Sequence, residues 1–311
     1  MAHGPLVWEL TIALIVALLL FDYFFHIRTA HVPTIGEAAR WSAAYVSIAL
    51  LFGVAVFVLG GRELGTQYFA GYVTEKALSI DNVFVFLVIM SSFKVPRQDQ
   101  QKALLIGIVI SLVARAGFIL LGAALIERFA WVFYIFGLIL LMTAGHLLMP
   151  EDKRHGDDAS DSAILRLVRR LVPTTAHYDG DRLFTIHEGR RQMTPMVLVI
   201  VALGLTDILF ALDSIPAIFG LTQDVFIVFT ATAFSLLGLR QLYFLVEGLL
   251  ERLLYLSYGL AIILAFIGVK LVLHALHENN LFFINDGNPV NVIEISTLQS
   301  LLVILAILVV T

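Results

Sequence analysis

Nine apolar stretches, each long enough to cross the roughly 30 Å hydrocarbon core of a bilayer, limit this chain to few folds. Because backbone groups in lipid must be satisfied within a helix or a closed barrel, single stretches of this length are predicted to be helices. The predicted fold class is all-α: a polytopic membrane helical bundle of about nine transmembrane helices. The stretches lie roughly at 7–25, 41–60, 68–92, 102–124, 129–149, 195–220, 224–246, 254–275 and 295–311.

The composition agrees with a membrane protein and excludes several functional classes. Of the 311 residues, 59% are hydrophobic and only 14% are charged, and a net charge of −4 gives no electrostatic basis for binding nucleic acid. The absence of cysteine excludes disulfides, thiolate metal sites and cysteine nucleophiles. The main enzyme motifs are also absent. We therefore expect membrane lipid as the surrounding partner, no enzymatic activity and no prosthetic group.

Lysine and arginine residues are divided unequally between the two sets of loops. One set holds Arg28 and Arg40, Lys94, Arg97 and Lys102, eight residues between Lys153 and Arg191, and Arg252. The opposite set holds only Arg62 and Arg128. Since basic loops stay in the cytoplasm, the N-terminus is predicted outside and the C-terminus inside. The first stretch has neither a basic start nor a small-residue cleavage site, so we expect it to remain as a span.

Spans three and six share one pattern: an acid, five residues, an aspartate and a small polar residue. These residues are Glu75, Asp81 and Asn82 in span three, and Asp207, Asp213 and Ser214 in span six. The next span in each case carries an arginine, Arg115 or Arg240. The span after that carries a basic-type residue near its end, His146 or Lys270. We interpret spans three to five and six to eight as two copies of one unit.

The two copies have an odd number of spans, so they must run through the membrane in opposite senses. Inverted three-helix repeats of this kind are typical of transporters, which bind substrate near the midplane where the repeats meet. Direct similarity between 137–145 and 259–268 supports the repeat. The predicted parts are 1–67 with two N-terminal spans, 68–149 as the first repeat, 150–194 as a cytoplasmic linker, 195–275 as the second repeat, and 276–311 as an extracytoplasmic linker with the last span.

Inserting a carboxylate deep in a membrane span costs at least about 2.5 kcal/mol of free energy on insertion scales. The presence of four acids in the repeats therefore needs an explanation. In a structural interpretation they pair with basic residues and join the helices: Lys76, Arg115, Arg240 and Lys270. In a functional interpretation they bind a cation, and the basic residues balance the charge of the empty site. His146 is a further candidate for this charge coupling.

Helical geometry limits which acids can act together. Residues seven apart fall about 20° from one another around a helix, whereas residues six apart fall about 120° apart. Asp207 therefore shares a face with Ser214, but Asp213 does not. Pro216 lacks an N–H and leaves the carbonyl of Leu212 without its helical partner, so a local helix break there would offer a further oxygen ligand.

Carboxylate, amide, hydroxyl and carbonyl oxygens suit Mn²⁺, Mg²⁺ or Ca²⁺, and the ligand types alone do not separate these three. The predicted metal ligands are Asp81, Asp213, Asp207, Glu75, Asn82, Ser214 and the carbonyl of Leu212. A second possible metal cluster is His274, His277 and Glu278 near the end of span eight. Histidines at a membrane interface are the alternative interpretation of that cluster.

The two acidic spans closely resemble the TerC family, in particular its Alx-like membrane proteins. The resemblance rests on Glu75-Lys-Ala-Leu-Ser-Ile-Asp-Asn and Phe210-Ala-Leu-Asp-Ser-Ile-Pro, and it extends over nearly the whole chain. It implies a bacterial inner-membrane protein of nine spans, related to LysE-type exporters, which acts in manganese efflux and is linked to tellurite resistance. Two positions depart from the family pattern: Gly204 replaces a glutamate in span six, and His146 replaces a lysine in span five.

Two functions remain open. The first is export of a divalent cation, Mn²⁺, with the intramembrane carboxylates as the ion site. The second is a non-transporting membrane scaffold for a metal or tellurite stress response, in which the buried charges only join helices. A membrane-embedded enzyme is a third and weaker alternative. Only the first gives a reason for acids at the contact between inverted units.

The charge distribution predicts which loops face the cytoplasm. Because the chain has no cysteine, single cysteines at Asn288 and Asp158 can be labelled without background. A membrane-impermeant thiol reagent added to intact cells should modify the cysteine at 288 and not the one at 158. The reverse pattern would overturn the predicted topology.

Overall fold

The computed structural model describes residues 4–27, 32–129, 131–148, 178–180, 182–187, 190–247, 256–279, 281 and 284–310. Within these ranges the chain forms ten α-helices and one β-hairpin. The helices are α1 (Pro5–Asp22), α2 (Ile35–Gly60), α3 (Arg62–Ser92), α4 (Arg97–Arg128), α5 (Val132–Leu147), α6 (Pro195–Phe219), α7 (Val225–Leu236), α8 (Leu239–Glu247), α9 (Leu256–His277) and α10 (Thr297–Val310).

This architecture confirms the predicted fold class, an all-α polytopic membrane protein. A helix lies in every one of the nine apolar stretches. Among the described residues, five helices are long and apolar enough to cross a membrane, and a bent pair, α7 with α8, makes a sixth. The helix α3 has 31 residues but carries Glu75, Lys76 and Asp81 near its middle. Because α5 and α10 have only 16 and 14 residues, the count of nine spans stays a prediction.

Local sequence signals account for where several helices begin. The hydroxyl of Thr34 accepts the N–H of Glu37 and caps α2. Asp224 caps α7 by accepting the N–H groups of Phe226 and Ile227 at 3.0 and 3.1 Å. Pro195 occupies the first turn of α6, where its missing N–H costs nothing. These caps fix the ends of helices that carry the candidate site.

The seventh apolar stretch is broken into two helices, which differs from the single span predicted at 224–246. The helices α7 and α8 meet at a bend of 42°. At this bend Gly238 has φ +83°, and a Cβ there would lie 2.9 Å from the Cβ of Tyr45. Both the backbone conformation and the space therefore require glycine. The break directs the start of α8, including Arg240, toward the protein interior.

The break predicted at Pro216 is not observed, because α6 continues through Pro216 to Phe219. Pro216 lies only three residues before the end of the helix, so few helical bonds follow it. Its own carbonyl accepts the N–H of Gly220 at 2.9 Å. The proline still lacks an N–H for the carbonyl of Leu212, and the role of that carbonyl as a ligand stays a prediction.

The helix α3 lies at the centre of the bundle and packs against α2, α6, α7, α8 and α10. The outer helices α1 and α2 expose large apolar side chains, including Leu6 at 66% and Leu59 at 87%. Such surfaces are stable against lipid tails and would be costly in water. The polar residues of the bundle are concentrated inside it, around α3, α4 and α6.

The helices α5 and α9 pack closely through Gly137 and Gly268, which lie in the two similar segments 137–145 and 259–268. A Cβ on Gly137 would lie 2.9 Å from the carbonyl oxygen of Gly268, and one on Gly268 would lie 3.0 Å from that of Gly137. Small residues at a helix contact let two backbones approach in a membrane. The contact is consistent with the inverted repeat, which stays a prediction together with its boundaries.

Part of the linker at 150–194 forms a β-hairpin of β1 (Phe184–His187) and β2 (Arg190–Met193). Just before it, Tyr178 donates a hydrogen bond to the carbonyl of Phe93 at 2.8 Å and so ties the linker to the end of α3. Burial raises the pKa of Tyr178 to about 12, so this phenol remains a donor throughout the neutral range.

The glycine contact predicts a strong difference between two substitutions on the same helix. Gly137→Leu should lower the free energy of unfolding by about 1–3 kcal/mol, because its side chain would collide with Gly268 and Val272. Gly145→Leu is the matched control, since a Cβ there meets nothing within 4 Å. Thermal unfolding in detergent would measure both. Equal stability of the two variants would contradict the observed contact.

Candidate functional site

The guanidinium of Arg115 lies at the centre of a fully buried polar cluster that joins three helices. From α4 it donates to both carboxylate oxygens of Asp207 on α6, with Nε to Oδ2 at 2.9 Å and Nη2 to Oδ1 at 3.2 Å. Its Nη1 donates to Glu75 Oε1 on α3 and, at 2.8 Å, to Ser214 Oγ. We call Arg115, Glu75, Asp207 and Ser214 the Arg115 cluster. All four side chains are at most 1% exposed.

The spacing along α6 explains how one helix supplies two members of this cluster. Asp207 and Ser214 are seven residues apart and therefore point to the same side of the helix, as the sequence predicts. Arg115 lies inside the bundle next to an intramembrane acid, as the structural interpretation of the repeat acids requires. A bidentate pair with a carboxylate is the arrangement expected of a buried arginine, because an unpaired charge there would be severely destabilising.

Asp213 points away from the Arg115 cluster, toward α5. Its Oδ1 accepts a hydrogen bond from the hydroxyl of Thr143 at 2.8 Å. The side chain is half-buried, and no lysine or arginine within the described ranges lies within ion-pair distance of it. The two acids of span six thus have different surroundings: Asp207 is neutralised by Arg115, whereas Asp213 is bound only by a hydroxyl.

The corresponding polar pair of span three is less fully defined. Asn82 is buried in α3, with 4% exposure. Asp81 lies in the same helix, but its side chain lies outside what the structure describes. Its predicted role in the ion site therefore stays a prediction.

A second buried cluster surrounds Arg240 at the start of α8. Its guanidinium donates to Asp22, with Nη2 to Oδ1 at 2.7 Å and Nε to Oδ2 at 3.1 Å, and to Gln101 Oε1. Tyr45 and Gln241 also donate to Asp22 Oδ1, both at 3.0 Å. These five residues form the Arg240 cluster. Arg240 also lies inside the bundle, but its partner, Asp22 at the end of α1, is not one of the acids of the repeat pattern.

Asp22 is a buried intramembrane carboxylate that the sequence analysis did not predict. It lies within the first apolar stretch, 7–25, where a carboxylate carries the same energetic cost as in spans three and six. That position was a sufficient signal. The repeat pattern does not include it, because Asp22 lies in the first span and has no counterpart in either repeat.

Among the described side chains, which do not include that of Asp81, the other basic candidates contact groups other than the predicted acids. Lys76 donates from Nζ to the carbonyl of Ser235 at 3.1 Å, and Lys270 donates to the hydroxyl of Ser300 at 3.0 Å. His146 lies exposed near the end of α5. For the described side chains, the structural interpretation therefore holds for Arg115 with Glu75 and Asp207, and the pairing of Asp81 stays a prediction. Arg115 binds Glu75 and Asp207, and Arg240 binds Asp22. The two lysines donate to neutral oxygens.

The second predicted metal cluster does not assemble into a shared site. The Nε2 of His274 lies 3.6 Å from Glu278 and 3.1 Å from the amide of Gln223, whereas His277 lies 3.4 Å from Glu294. Among the described residues, no group of three His, Asp or Glu side chains is arranged to hold a metal ion. The histidines fit the alternative interpretation, interfacial residues near a helix end.

Comparison with known proteins agrees with the architecture. The family model of the integral membrane protein TerC family matches residues 60–311. A protein of Mycobacterium tuberculosis (strain H37Rv), described as an uncharacterized membrane protein, is 60% identical over 307 residues, which cover 98% of this chain and 77% of the relative. No solved structure matches the chain.

Two further relatives carry names of their own. The Alx protein of Escherichia coli (strain K12), provisionally named a membrane-bound redox modulator, is 37% identical over 278 residues, which cover 86% of both chains. The thylakoid membrane protein TERC of Arabidopsis thaliana is 41% identical over 231 residues, which cover 74% of this chain and 60% of the relative. From the extent of the family match and these identities, the chain belongs to the TerC family of integral membrane proteins.

Proposed function

We propose that this protein exports a divalent metal cation, Mn²⁺, across the bacterial inner membrane, with Asp213 and Asp81 as ligands at the contact between the two repeats. The observation that carries the proposal is the environment of Asp213. Its carboxylate lies within a membrane helix, and its bound partner in the described part of the chain is a hydroxyl rather than a cation. A carboxylate kept at membrane depth without a positive partner is suited to receive one.

The surrounding groups fit a hard cation. Thr143 places a hydroxyl 2.8 Å from Asp213. The packing of α3 against α6 brings the helix that carries Asp81 and Asn82 next to the helix that carries Asp213 and Leu212. Carboxylate, amide and carbonyl oxygens are the ligands of Mn²⁺, Mg²⁺ and Ca²⁺, and we choose Mn²⁺ because resemblance to the TerC family implies manganese efflux.

In this proposal the Arg115 cluster has a different role. Arg115 already satisfies Asp207 and contacts Glu75, so these acids hold α3, α4 and α6 in register instead of serving as open ligands. The N-terminus lies outside and the C-terminus in the cytoplasm, and export uses the proton gradient or the membrane potential.

The scaffold function remains a second candidate, since a specific observation favours it. Both buried arginines are bound to carboxylates from other helices, as structural ion pairs would be. A scaffold built on such pairs needs no metal. It also gives no reason for a half-buried carboxylate at Asp213 that lacks a cationic partner among the described residues.

Asp213→Asn separates the two functions. It removes one charge but keeps a carbonyl oxygen for Thr143, so the fold should persist while the Kd for Mn²⁺ rises at least about tenfold. Uptake of Mn²⁺ by proteoliposomes should be abolished, and Asp81→Asn should behave in the same way. Metal binding and thermal stability would be measured on the same purified variants, with Ca²⁺, Mg²⁺ and Zn²⁺ as competitors.

Two other aspartates provide controls. Asp286→Asn removes the same charge from an exposed loop residue and should leave Mn²⁺ binding and stability unchanged. Asp207→Asn removes the bidentate carboxylate partner of the buried Arg115 guanidinium and should lower stability by about 3 kcal/mol. Normal Mn²⁺ affinity together with lowered stability in both Asp81→Asn and Asp213→Asn would refute the site and favour the scaffold.

A further inference from the structure

A cavity of about 300 Å³ lies where α3, α6 and α9 meet, near the start of α3 and the ends of α6 and α9. We call it the Lys270 cavity. The loops at this end of the bundle carry few basic residues, so this end is predicted to face the extracytoplasmic side. The polar residues that line the cavity are Gln67, Thr222, Gln223, Lys270 and His274.

The ammonium of Lys270 is held in place between α9 and α10. Lys270 lies two turns before the end of α9 at His277, and its Nζ donates to Ser300 Oγ on α10 at 3.0 Å. Ser300 is fully buried, and its hydroxyl donates to the carbonyl of Ser296 at 3.1 Å, so the oxygen that accepts from Lys270 is fixed. An ammonium has three N–H donors. In the described part of the chain, the other two N–H groups have no hydrogen-bond partner.

The positive charge of Lys270 has no carboxylate partner among the described residues. None of the described residues that line the Lys270 cavity is an Asp or a Glu. A second cavity, on the other side of Lys270, is lined by Glu294, but that carboxylate lies 3.4 Å from Nε2 of His277. Glu278 likewise lies 3.6 Å from His274. A half-buried ammonium without a carboxylate partner favours a bound anion.

The neutral groups of the cavity are mainly hydrogen-bond donors. The hydroxyl of Thr222 donates to Gln67 Oε1 at 2.7 Å, so the acceptor atom of this amide is already occupied. The Nε2 of Gln223 lies 3.1 Å from Nε2 of His274. Each amide nitrogen carries two N–H groups, so both glutamines can offer a donor beyond these contacts. An ammonium with amide donors suits an oxyanion and would repel a cation such as Mn²⁺.

The position of the cavity indicates which oxyanion it can bind. A phosphate group offers negative charge and several acceptor oxygens, and phosphates of lipid head groups lie near the ends of membrane helices. Basic pockets between membrane helices are known to bind such head groups. A volume of about 300 Å³ is also at the lower end of what ligand pockets enclose, which is more than a single small ion needs.

We propose that the Lys270 cavity binds a phosphate group, with the ammonium of Lys270 as its charge partner and the amides of Gln67 and Gln223 as hydrogen-bond donors. The phosphate can belong to the head group of an anionic phospholipid or to a dissolved phosphate ion. The site is separate from the candidate cation site at Asp213, and the proposal does not depend on cation export.

Thermal unfolding of the purified full-length protein in detergent tests the site and separates the two sources of phosphate. A ligand that binds only the folded state raises the unfolding temperature in proportion to its concentration over its Kd. The additions are dioctanoyl phosphatidylglycerol, dioctanoylglycerol as the same lipid without phosphate, inorganic phosphate, and chloride at equal ionic strength.

We expect phosphatidylglycerol to raise the unfolding temperature more than dioctanoylglycerol does. A similar rise with inorganic phosphate over chloride would show that the free ion also binds, and a rise with inorganic phosphate alone would identify the free ion as the ligand. Equal effects of the two lipids together with no effect of inorganic phosphate over chloride would overturn the proposal.

Two variants then test the assigned residues. Lys270→Gln keeps a donor for Ser300 but removes the charge, so the Kd for the ligand that binds the wild type should rise at least about tenfold. Gln223→Trp should also weaken binding, because a bulky side chain would fill the cavity while Lys270 stays in place. Gln223 is exposed, so the fold should tolerate this change and the test remains decisive if Lys270→Gln fails to fold.

Arg62→Gln is the matched control. It removes the same charge from an exposed residue at the same end of the bundle, at the start of α3. Its affinity for the ligand should equal that of the wild type. Unchanged affinity in both Lys270→Gln and Gln223→Trp would refute the site. An equal loss of affinity in Arg62→Gln and Lys270→Gln would show attraction by overall charge and would refute it as well.

Discussion

The buried guanidinium of Arg115 is the interaction on which the arrangement of the bundle depends. A charge at membrane depth must be paired, and Arg115 can be paired only when α3, α4 and α6 are held at fixed distances and rotations. The bidentate bond to Asp207 sets the rotation of α6 about its own axis. Asp213, about 120° further around that helix, must then face α5, where it meets Thr143. The position of Asp213, the candidate ligand, thus follows from the ion pair that Asp207 makes on another face of the same helix.

The Arg240 cluster also pairs a buried arginine with a carboxylate, but here a break between two helices brings the arginine to its partner. The break at Gly238 turns α8 inward by 42° relative to α7 and brings Arg240 to Asp22. Through Asp22, Tyr45 and Gln101 the contact reaches α1, α2 and α4. The helix α1 exposes most of its apolar side chains, so this polar contact at its end helps to fix it to the bundle.

Much of this arrangement follows from the sequence, and what does not has identifiable causes. Long apolar stretches predict the helices because lipid permits few alternatives to them. The shared face of Asp207 and Ser214 follows from helical geometry alone. The repeat pattern does not predict the partner of Arg240, because Asp22 lies in the first span, outside both copies of the repeat. The break at Gly238 could not be foreseen among 22 glycines, since it depends on a positive φ and on close contact with Tyr45.

Structural ion pairs and a transport site predict different patterns of satisfied polar groups. A purely structural role of the buried polar groups explains why Arg115 and Arg240 are bound by carboxylates, and why hydroxyls such as those of Thr74 and Thr230 bond to their own helices. It does not explain Asp213, which lacks a cationic partner among the described residues. Nor does it explain Glu75 Oε2 and Thr232 Oγ1, which are buried without partners in that part of the chain. A bundle selected only for stability would gain by replacing these groups with apolar ones of similar size. The half-buried carboxylate of Asp213 is the group for which the proposed cation site gives a reason and a purely structural role does not.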